Sequence, residues 1–262
     1  MLPLSVVITT HNERDIIGRT LDAVAGLATE TLVVDSFSDD GTAEYLAARP
    51  EVTLHQRAYA GPSDQKNWAI ARATQPWVLL LDADEVVTPA LRAEISRLLR
   101  PRPNAAPPLA DAYWVHRNNY FLGRRIRHSG WAGERVIRLA RRDRCRYNDR
   151  RVHEEVILDG LTTATLAGRL DHYVFKNLDH FWDKNRRYAR WGAADRAGRT
   201  GRITAYHLLL KPLWRFLKHY LLQGGFRDGR AGLVLSLSLG YSVFQRYAYL
   251  LAERRGREVD QK

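Results

Sequence analysis

The sequence predicts an α/β fold, with a mainly parallel sheet covered by helices on both faces and a C-terminal helical extension. Short apolar runs rich in β-branched residues alternate with segments of helical spacing over the first hundred residues. Strands that alternate with helices favour a parallel sheet. From about residue 175 onward the apolar spacing becomes helical throughout, which indicates the extension.

The first hundred residues contain four predicted strands and four predicted helices. Leu4–Thr10 is a short apolar run typical of a buried strand, and apolar residues then recur at helical spacing from Ile16 to Val24. Ser63 or Asp64 is the predicted N-cap of the third helix. The strands are Leu4–Thr10, Thr31–Asp35, Val52–Gln56 and Trp77–Leu81, and the helices are Glu13–Leu27, Gly41–Ala48, Ser63–Ala73 and Leu91–Leu99.

The rest of the chain changes character twice. Arg100–Pro108 holds four of the ten prolines, and this stretch is predicted to be a surface loop between two halves of one domain. A smaller mixed region follows, and then a helical region. The predicted strands are Asp111–Arg117, Arg135–Leu139 and Arg151–Leu158, and the predicted helices are Lys176–Ala197, Tyr206–Gln223 and Ala231–Glu253.

The formal net charge of +12 is unevenly distributed. Residues 1–100 carry 9 basic and 14 acidic side chains, a net of −5, whereas residues 101–262 carry 32 and 15, a net of +17. A basic surface attracts the phosphates of nucleic acid, anionic lipid or a phosphorylated substrate. Charge alone does not choose among these partners.

Two features indicate a cytoplasmic protein. Cys145 is the single cysteine, so an intramolecular disulfide is impossible, which fits a reducing compartment. The first residues lack the basic segment and the small-residue cleavage site of a signal peptide. The uncharged segment Ala231–Gln245 is shorter than the roughly 20 residues of a spanning helix, so it is predicted to be buried or to lie at a membrane interface.

Two aspartates follow the fourth predicted strand, in Asp82-Ala83-Asp84. Alternate residues at the end of a strand can direct two carboxylates into one crevice. Such hard oxygen donors suit Mg²⁺ or Mn²⁺, and these ions neutralise the charge that develops on a leaving diphosphate. The alternative is a solvated turn, where this short pattern also occurs by chance.

Polar residues also follow the other strands. Asp35 ends the second strand, and Asn12 and Glu13 follow the first. We expect them to meet the two aspartates at one edge of the sheet, where a cation or hydrogen-bond donors must balance the acids. For Asp39 and Asp40, N-capping of a helix is an equal alternative.

Two common nucleotide motifs are missing from the sequence. No Gly-x-Gly-x-x-Gly follows the first strand, and no Gly-x-x-x-x-Gly-Lys-Ser/Thr occurs. Their absence argues against dinucleotide oxidoreductases and P-loop NTPases.

Three motifs together resemble glycosyltransferase family 2, which has the GT-A fold. They are Ser5-Val6-Val7-Ile8-Thr9-Thr10-His11-Asn12-Glu13, Val33-Val34-Asp35-Ser36 with Asp39-Asp40-Gly41-Thr42, and Leu80-Leu81-Asp82-Ala83-Asp84-Glu85. Further motifs resemble the bacterial lipopolysaccharide inner-core β-glucosyltransferases. These are Gly61-Pro62-Ser63-Asp64-Gln65-Lys66-Asn67-Trp68-Ala69, Arg138-Leu139, Arg141-Arg142, Val152-His153-Glu154 and His172-Tyr173 with Lys184 and Tyr188. The resemblance implies a GT-A catalytic domain over residues 1–174 and a basic helical extension over residues 175–262 that faces a membrane or the acceptor.

The resemblance also implies the residues that bind a nucleotide diphosphate sugar. They are Thr9, Asn12, Glu13, Asp35, Lys66, Asn67, Asp82 and Arg138. In this scheme Glu13 lies near the ribose hydroxyls and Asp35 accepts a hydrogen bond from uracil. Lys66 offers its charge to the diphosphate, and Asp82 faces the ribose or the sugar.

The metal ligands and the general base follow from the same resemblance. Asp84, together with Asp82, would bind Mg²⁺ or Mn²⁺. His172 is either a further metal ligand or a histidine satisfied in the core. Glu154 matches the general base, but Glu155 beside it leaves this assignment open.

The expected activity is an inverting transfer of glucose from UDP-glucose, with β linkage, to a cell-surface glycan or glycolipid such as a lipopolysaccharide inner-core sugar. A nearer alternative keeps the fold but uses polyprenyl phosphate or a peptide side chain as acceptor. A different alternative is a non-catalytic RNA-binding or scaffold protein. We expect no nucleic-acid partner, because strand-end carboxylates repel phosphates when no metal is bound, and we expect peripheral attachment to an anionic surface, the inner face of the cytoplasmic membrane.

Overall fold

A computed structural model of the chain describes residues 1–100, 109–148, 155–175 and 177–260, with side chains up to Arg254. Some sequence predictions therefore lie outside the described residues. They concern the expected base Glu154, nearly all of the loop Arg100–Pro108 and half of the strand predicted over Arg151–Leu158.

The chain forms two compact units. The first comprises Met1–Arg117 and Gly133–His172, and the second comprises Asn118–Ala132 and Tyr173–Lys262. The division into a catalytic domain over residues 1–174 and a basic extension over residues 175–262 stays a prediction, because compactness does not show which part of the chain carries the chemistry.

Four parallel strands form one half of the sheet, in the order β3-β2-β1-β4. The strands are β1 (Leu2–Thr10), β2 (Ala28–Asp35), β3 (Thr53–Gln56) and β4 (Trp77–Asp82), and the helices are α1 (Ile17–Val24), α2 (Thr42–Ala47), α3 (Pro62–Arg72) and α4 (Pro89–Leu99). A helix follows each of the first three strands, as parallel pairing requires. The alternating pattern in the sequence thus predicted this half of the fold correctly.

Antiparallel strands complete a sheet of nine strands among the described residues. They are β5 (Glu85–Val87), β6 (Ala112–Phe121), β7 (Arg124–Arg125), β8 (Arg135–Arg141) and β9 (Thr163–His172). The order is β3-β2-β1-β4-β8-β6-β9-β5, with β7 paired to β6. Leu79 of β4 lies opposite Leu139 of β8, and Glu85 of β5 lies opposite His172 of β9. Two distant segments are thereby brought beside the end of β4.

Apolar side chains cover both faces of the sheet. Successive side chains of a strand point to opposite faces. In β1, Val6 and Ile8 lie in one buried cluster with Leu91 of α4, whereas Val7 packs in a second cluster with Ile70 of α3. Each such buried side chain stabilises the fold by about 1.5–3 kcal/mol relative to an exposed one. The strands whose ends form the candidate site are therefore held in a well-packed core.

The second unit is mainly helical. It contains α5 (Leu178–Ala194), α6 (Lys211–Leu217) and α7 (Gly229–Asp260). Turns of π-helix flank α6, over Tyr206–Leu210 and Lys218–Leu222. Pro212 lacks a backbone N–H, and its ring would clash with the carbonyl of Leu208 in a regular α-helix. The irregular turn over Tyr206–Leu210 fits this constraint.

An aromatic cluster forms the core of this unit. The rings of Phe121, Phe175 and Phe181 lie with centroids 4.7–6.0 Å apart, and Leu235 of α7 is buried in the same cluster. Among the residues described, no helix combines the length and apolarity that a transmembrane span requires.

Several helix starts differ from the sequence predictions by one to four residues, and two of them involve backbone features of the preceding loop. The first helix begins at Ile17 rather than Glu13. Asn12 adopts a left-handed conformation with φ 57°, and the residues after it form a turn in which the N–H groups of Ile16 and Ile17 donate to the Glu13 carbonyl. In α3 the N-cap is Gly61 followed by Pro62, so the predicted caps Ser63 and Asp64 lie in the first turn instead. Proline at the first helical position is favoured because its fixed φ suits the helix.

Strand β9 was not predicted. Its sequence contains Gly168, and a Cβ atom there would lie 2.4 Å from the Cα of Leu91. The glycine therefore permits a close approach of α4 to the strand, but it also weakens the local strand pattern.

Candidate active site

The carboxyl ends of β1, β2 and β4 lie side by side. Parallel pairing places Thr9 of β1 opposite Asp82 of β4 and Thr10 of β1 opposite Asp35 of β2. The expected meeting of these strand ends is therefore present, at the edge where open α/β sheets bind their ligands.

Two cations hold Asp82. The Nζ of Lys66 lies 3.0 Å from its Oδ1, and the Nη2 of Arg138 lies 2.6 Å from its Oδ2. Burial alone would raise the pKa of Asp82, but Lys66 and Arg138 outweigh burial and hold the pKa well below its usual range. The carboxylate is therefore ionised and fixed in orientation, and α3, β4 and β8 meet at it.

Glu85 is a residue of this network to which the sequence analysis assigned no role. Its side chain is fully buried and accepts hydrogen bonds from the Nε and Nη2 of Arg138, at 2.7 and 2.8 Å. It also accepts from the Nη1 of Arg117 at 3.2 Å and from the backbone N–H of Asp82 at 3.1 Å. Glu85 thus orients the arginine that orients Asp82. Its place directly after the two aspartates was the available signal, but its arginine partners come from distant strands.

Tyr147 and Asn67 lie next to Lys66. The Asn67 side chain donates to the Tyr147 carbonyl at 3.0 Å and accepts from its N–H at 2.8 Å. The Tyr147 ring lies 5.3 Å from the Nζ of Lys66, and burial raises the pKa of its hydroxyl. Asn67 therefore holds the tyrosine beside the lysine. Its expected contact with the nucleotide sugar stays a prediction.

Asp84 lies close to His172. The Nε2 of His172 is 3.5 Å from the Oδ2 of Asp84, and pairing of β5 with β9 brings the two together. Among the described residues, no group of three or more His, Cys, Asp or Glu side chains is placed to hold a metal. A Mg²⁺ or Mn²⁺ ion that takes its other ligands from substrate phosphates and water needs only one or two protein ligands, so the pair Asp84 and His172 fits such an ion.

Asp35 is buried, and both of its carboxylate oxygens accept hydrogen bonds from other residues of the chain. Its Oδ2 accepts from the backbone N–H of Ser38 at 3.0 Å and from the Nε2 of Gln56 at 3.2 Å, and its Oδ1 accepts from the Ser38 hydroxyl. It therefore stabilises the loop that follows β2, and the expected contact with uracil stays a prediction.

The loops after β1 and β2 are bonded to each other. The backbone N–H of Asn12 donates to the Ser38 hydroxyl at 2.8 Å, and the Asn12 side chain accepts from the N–H of Asp39 at 2.9 Å. The N–H of Glu13 donates to the Thr42 hydroxyl at 3.1 Å. These bonds hold the two loops together at the edge of the sheet where the nucleotide is expected.

Asp40 spans the same two loops. Its Oδ1 accepts from the backbone N–H of Thr42 at 3.0 Å, near the start of α2. Its Oδ2 accepts from the backbone N–H of Arg14 at 3.1 Å. Asp40 therefore satisfies backbone donors in both loops. The N-cap of α2 is Gly41, so the alternative that Asp39 or Asp40 caps this helix is wrong.

Of the two glutamates expected to act as base, the structure describes Glu155 alone. It is exposed, and its backbone carbonyl accepts from the N–H of Asn148 at 2.9 Å. Glu154 lies outside the described residues, so the choice between the two stays open.

The chain is similar to known proteins in sequence and in fold. Over 259 residues, 94% of each chain, it is 29% identical to a lipopolysaccharide core biosynthesis glycosyltransferase, LpsC, of Rhizobium meliloti. It is 24% identical to a glycosyltransferase of Rickettsia prowazekii, over 95% of this chain and 87% of that one. The mannosyltransferase PcManGT of Pyrobaculum calidifontis, solved in complex with GDP-Man and Mn²⁺, superposes with a TM-score of 0.51 at 19% identity, over 100% of this chain and 88% of that one.

The fold is accordingly the GT-A fold that the resemblance implied. The sequence profile described as "Glycosyl transferase family 2" matches residues 5–156. This range spans more than half of the chain. It contains most of β1 and all of β2 to β8, with Lys66, Asp82, Asp84 and Arg138. The chain therefore belongs to glycosyltransferase family 2.

Proposed function

We propose that this glycosyltransferase is metal-dependent and inverting, and that it transfers glucose from UDP-glucose with β linkage to a bacterial cell-surface glycan or glycolipid such as a lipopolysaccharide core sugar. The observation that carries the proposal is the arrangement at the end of β4. Asp82 is held by Lys66 and Arg138, and Asp84 lies beside His172.

A nucleotide diphosphate sugar fits the charges at this edge. The diphosphate carries negative charge that Lys66 and a bound cation can neutralise. Thr9, Asn12 and Glu13 lie at or just beyond the end of β1, and we assign the nucleotide to this side. The similarity to LpsC over nearly the whole chain supports a surface-glycan acceptor.

Asp84 and His172 would hold Mg²⁺ or Mn²⁺, with Asp82 oriented beside them. When bound, the ion would supply positive charge to the diphosphate that leaves. Lys66 would support the same charge from the side of α3. Glu85 and Arg138 would keep Asp82 in position throughout the reaction.

A carboxylate, Glu154 or Glu155, would accept the proton of the acceptor hydroxyl. The hydroxyl oxygen then bonds to the anomeric carbon on the face opposite the diphosphate, the bond to the diphosphate breaks, and the electron pair leaves with it. One displacement converts an α-linked donor into a β-linked product.

We also propose that the protein is cytoplasmic and acts at the anionic inner face of the cytoplasmic membrane, where a glycolipid acceptor would be presented. The net charge of +17 over residues 101–262 supports this location.

Slow donor hydrolysis tests the proposed activity without knowledge of the acceptor. The purified protein is incubated with UDP-glucose, UDP-GlcNAc and GDP-mannose, each with Mn²⁺ or with EDTA, and nucleotide release is measured. We expect UDP release from UDP-glucose that requires Mn²⁺, together with a Mn²⁺-dependent rise in Tm on UDP binding. Preference for another donor would overturn the choice of UDP-glucose, and hydrolysis unaffected by EDTA would overturn the metal dependence.

A further inference from the structure

Large apolar side chains are exposed along one helical stretch of the second unit. Over residues 206–222 they are Tyr206, Leu209, Leu210, Leu213, Trp214, Leu221 and Leu222. We call these seven residues the 206–222 face. Trp214 is 60% exposed and Leu222 is 71% exposed, and a spacing of mostly three or four residues places most of the set along one side of the helix. A grouped apolar surface of this kind marks an interaction site.

The sequence around this face is basic and contains no acid. The stretch from Arg196 to Arg227 contains seven basic residues and no acidic one. Arg215 and Lys218 belong to the same helical stretch and are exposed. An apolar stripe flanked by lysine and arginine is the pattern of a helix that lies in the interface of an anionic bilayer.

The opposite side of the same helical stretch is anchored within the second unit. His219 is buried, with its Nδ1 2.7 Å from the carbonyl oxygen of Ser129. The Nζ of Lys211 donates to the Tyr247 hydroxyl at 2.9 Å. A Cβ atom at Gly240 of α7 would lie 2.9 Å from the carbonyl oxygen of Pro212, so α7 approaches α6 closely. The helix is therefore fixed by one side and presents its apolar residues on the other.

We propose that the 206–222 face binds the surface of an anionic phospholipid bilayer. Arg215 and Lys218 contact lipid phosphates, and the leucines and Trp214 insert among the headgroups and upper acyl chains. The inference deepens the proposed function, since a glycolipid acceptor lies in such a bilayer. Vesicle binding is measured without donor or acceptor, so its failure is distinct from a failure of sugar transfer.

The electrostatic part is tested by co-sedimentation of the full chain with vesicles of phosphatidylglycerol and phosphatidylcholine, and with phosphatidylcholine alone. The wild type binds the anionic vesicles, and high salt lowers this binding without abolishing it. Arg215→Gln with Lys218→Gln weakens low-salt binding about 30-fold, from the contribution of two basic residues at an anionic surface. The control Arg97→Gln with Arg100→Gln makes the same charge change at exposed positions of the first unit and leaves binding nearly unchanged.

The apolar part is tested by Leu213→Ser with Trp214→Ser, which removes the binding that remains at high salt. The control Ile157→Ser with Leu178→Ser changes two other exposed apolar residues and retains it. Circular dichroism verifies the fold of each variant. Quenching of tryptophan fluorescence by brominated lipid provides a second readout, which Trp214→Phe reduces.

Three results would overturn the proposal. They are no vesicle binding by the folded wild type, equal losses in the test and control variants, or self-association of the wild type that Leu213→Ser with Trp214→Ser abolishes while vesicle binding persists.

Discussion

The Nη2 of Arg138 lies 2.6 Å from the Oδ2 of Asp82 and 2.8 Å from the Oε1 of Glu85. One guanidinium thus joins a carboxylate at the edge of the site to a carboxylate that is fully buried. Because buried charges are costly unless they are paired, packing of the core and orientation of Asp82 depend on the same residue.

Loss of the Glu85 charge should strongly destabilise the protein. Glu85→Gln leaves the buried Arg138 with Asp82 as its remaining carboxylate and leaves Arg117 with Glu134. Because the buried ion pairs of Glu85 are lost, we expect the free energy of unfolding to fall by up to about 3–5 kcal/mol. Urea unfolding measures the change. The control is Glu134→Gln, which removes a 46% exposed partner of Arg117 and should cost about 1 kcal/mol or less. Equal effects of the two substitutions would contradict a structural role for the buried carboxylate.

Acid sensitivity should depend on Asp82. Its pKa is lower in the folded state than its ordinary value of 3.8. The stability that it contributes is therefore present above about pH 4 and is lost as the pH falls through the folded pKa. Between about pH 4 and pH 2, the free energy of unfolding of Asp82→Asn should fall less steeply than that of the wild type. Parallel curves for the two proteins would show that the ion pairs of Asp82 add no stability.

Cys145 should be unreactive in the native protein. Burial raises the pKa of its thiol to about 12, and the thiolate is the form that attacks disulfide reagents. We expect slow modification by a dithiobenzoate reagent at pH 8 in buffer and fast, stoichiometric modification in urea. Fast modification of the folded chain is the contrary result.

The proton acceptor is identified by two separate substitutions. Glu154→Gln should lower kcat by about 10²–10⁴-fold, the usual loss when general-base help is removed, while the affinity for UDP is retained. Glu155→Gln serves as the matched variant and should keep most of the activity. If Glu155→Gln is the inactive variant and Glu154→Gln is active, the assignment is off by one residue.

Local patterns in the sequence predicted which strand ends lie side by side. Apolar strands followed by polar residues predicted that Asp35 and Asp82 lie at the same edge of the sheet, because parallel strands end at one edge. Local patterns did not predict the partners of Asp82. Arg138 lies 56 residues from Asp82 along the chain and reaches it through antiparallel pairing of β8 with β4, so its role came from the resemblance alone.

Long-range contacts also explain which features of the site the sequence did not predict. Glu85 gave no sign of being buried, because its neutralising arginines belong to β6 and β8. The approach of His172 to Asp84 depends on β9, whose glycine-containing sequence did not predict a strand. Long-range pairing and close backbone approach, rather than local propensity, decide these features.

The central claim is that sugar transfer depends on a cation held at Asp84. The most direct measurement compares Mn²⁺-dependent UDP release from UDP-glucose by the wild type and by Asp84→Asn. The amide is a neutral and poorer ligand, and the substitution keeps the size of the side chain. We predict a folded variant with an unchanged Tm in the absence of metal and with no Mn²⁺-dependent UDP release. Full activity of Asp84→Asn, or full activity of the wild type in EDTA, would contradict the claim.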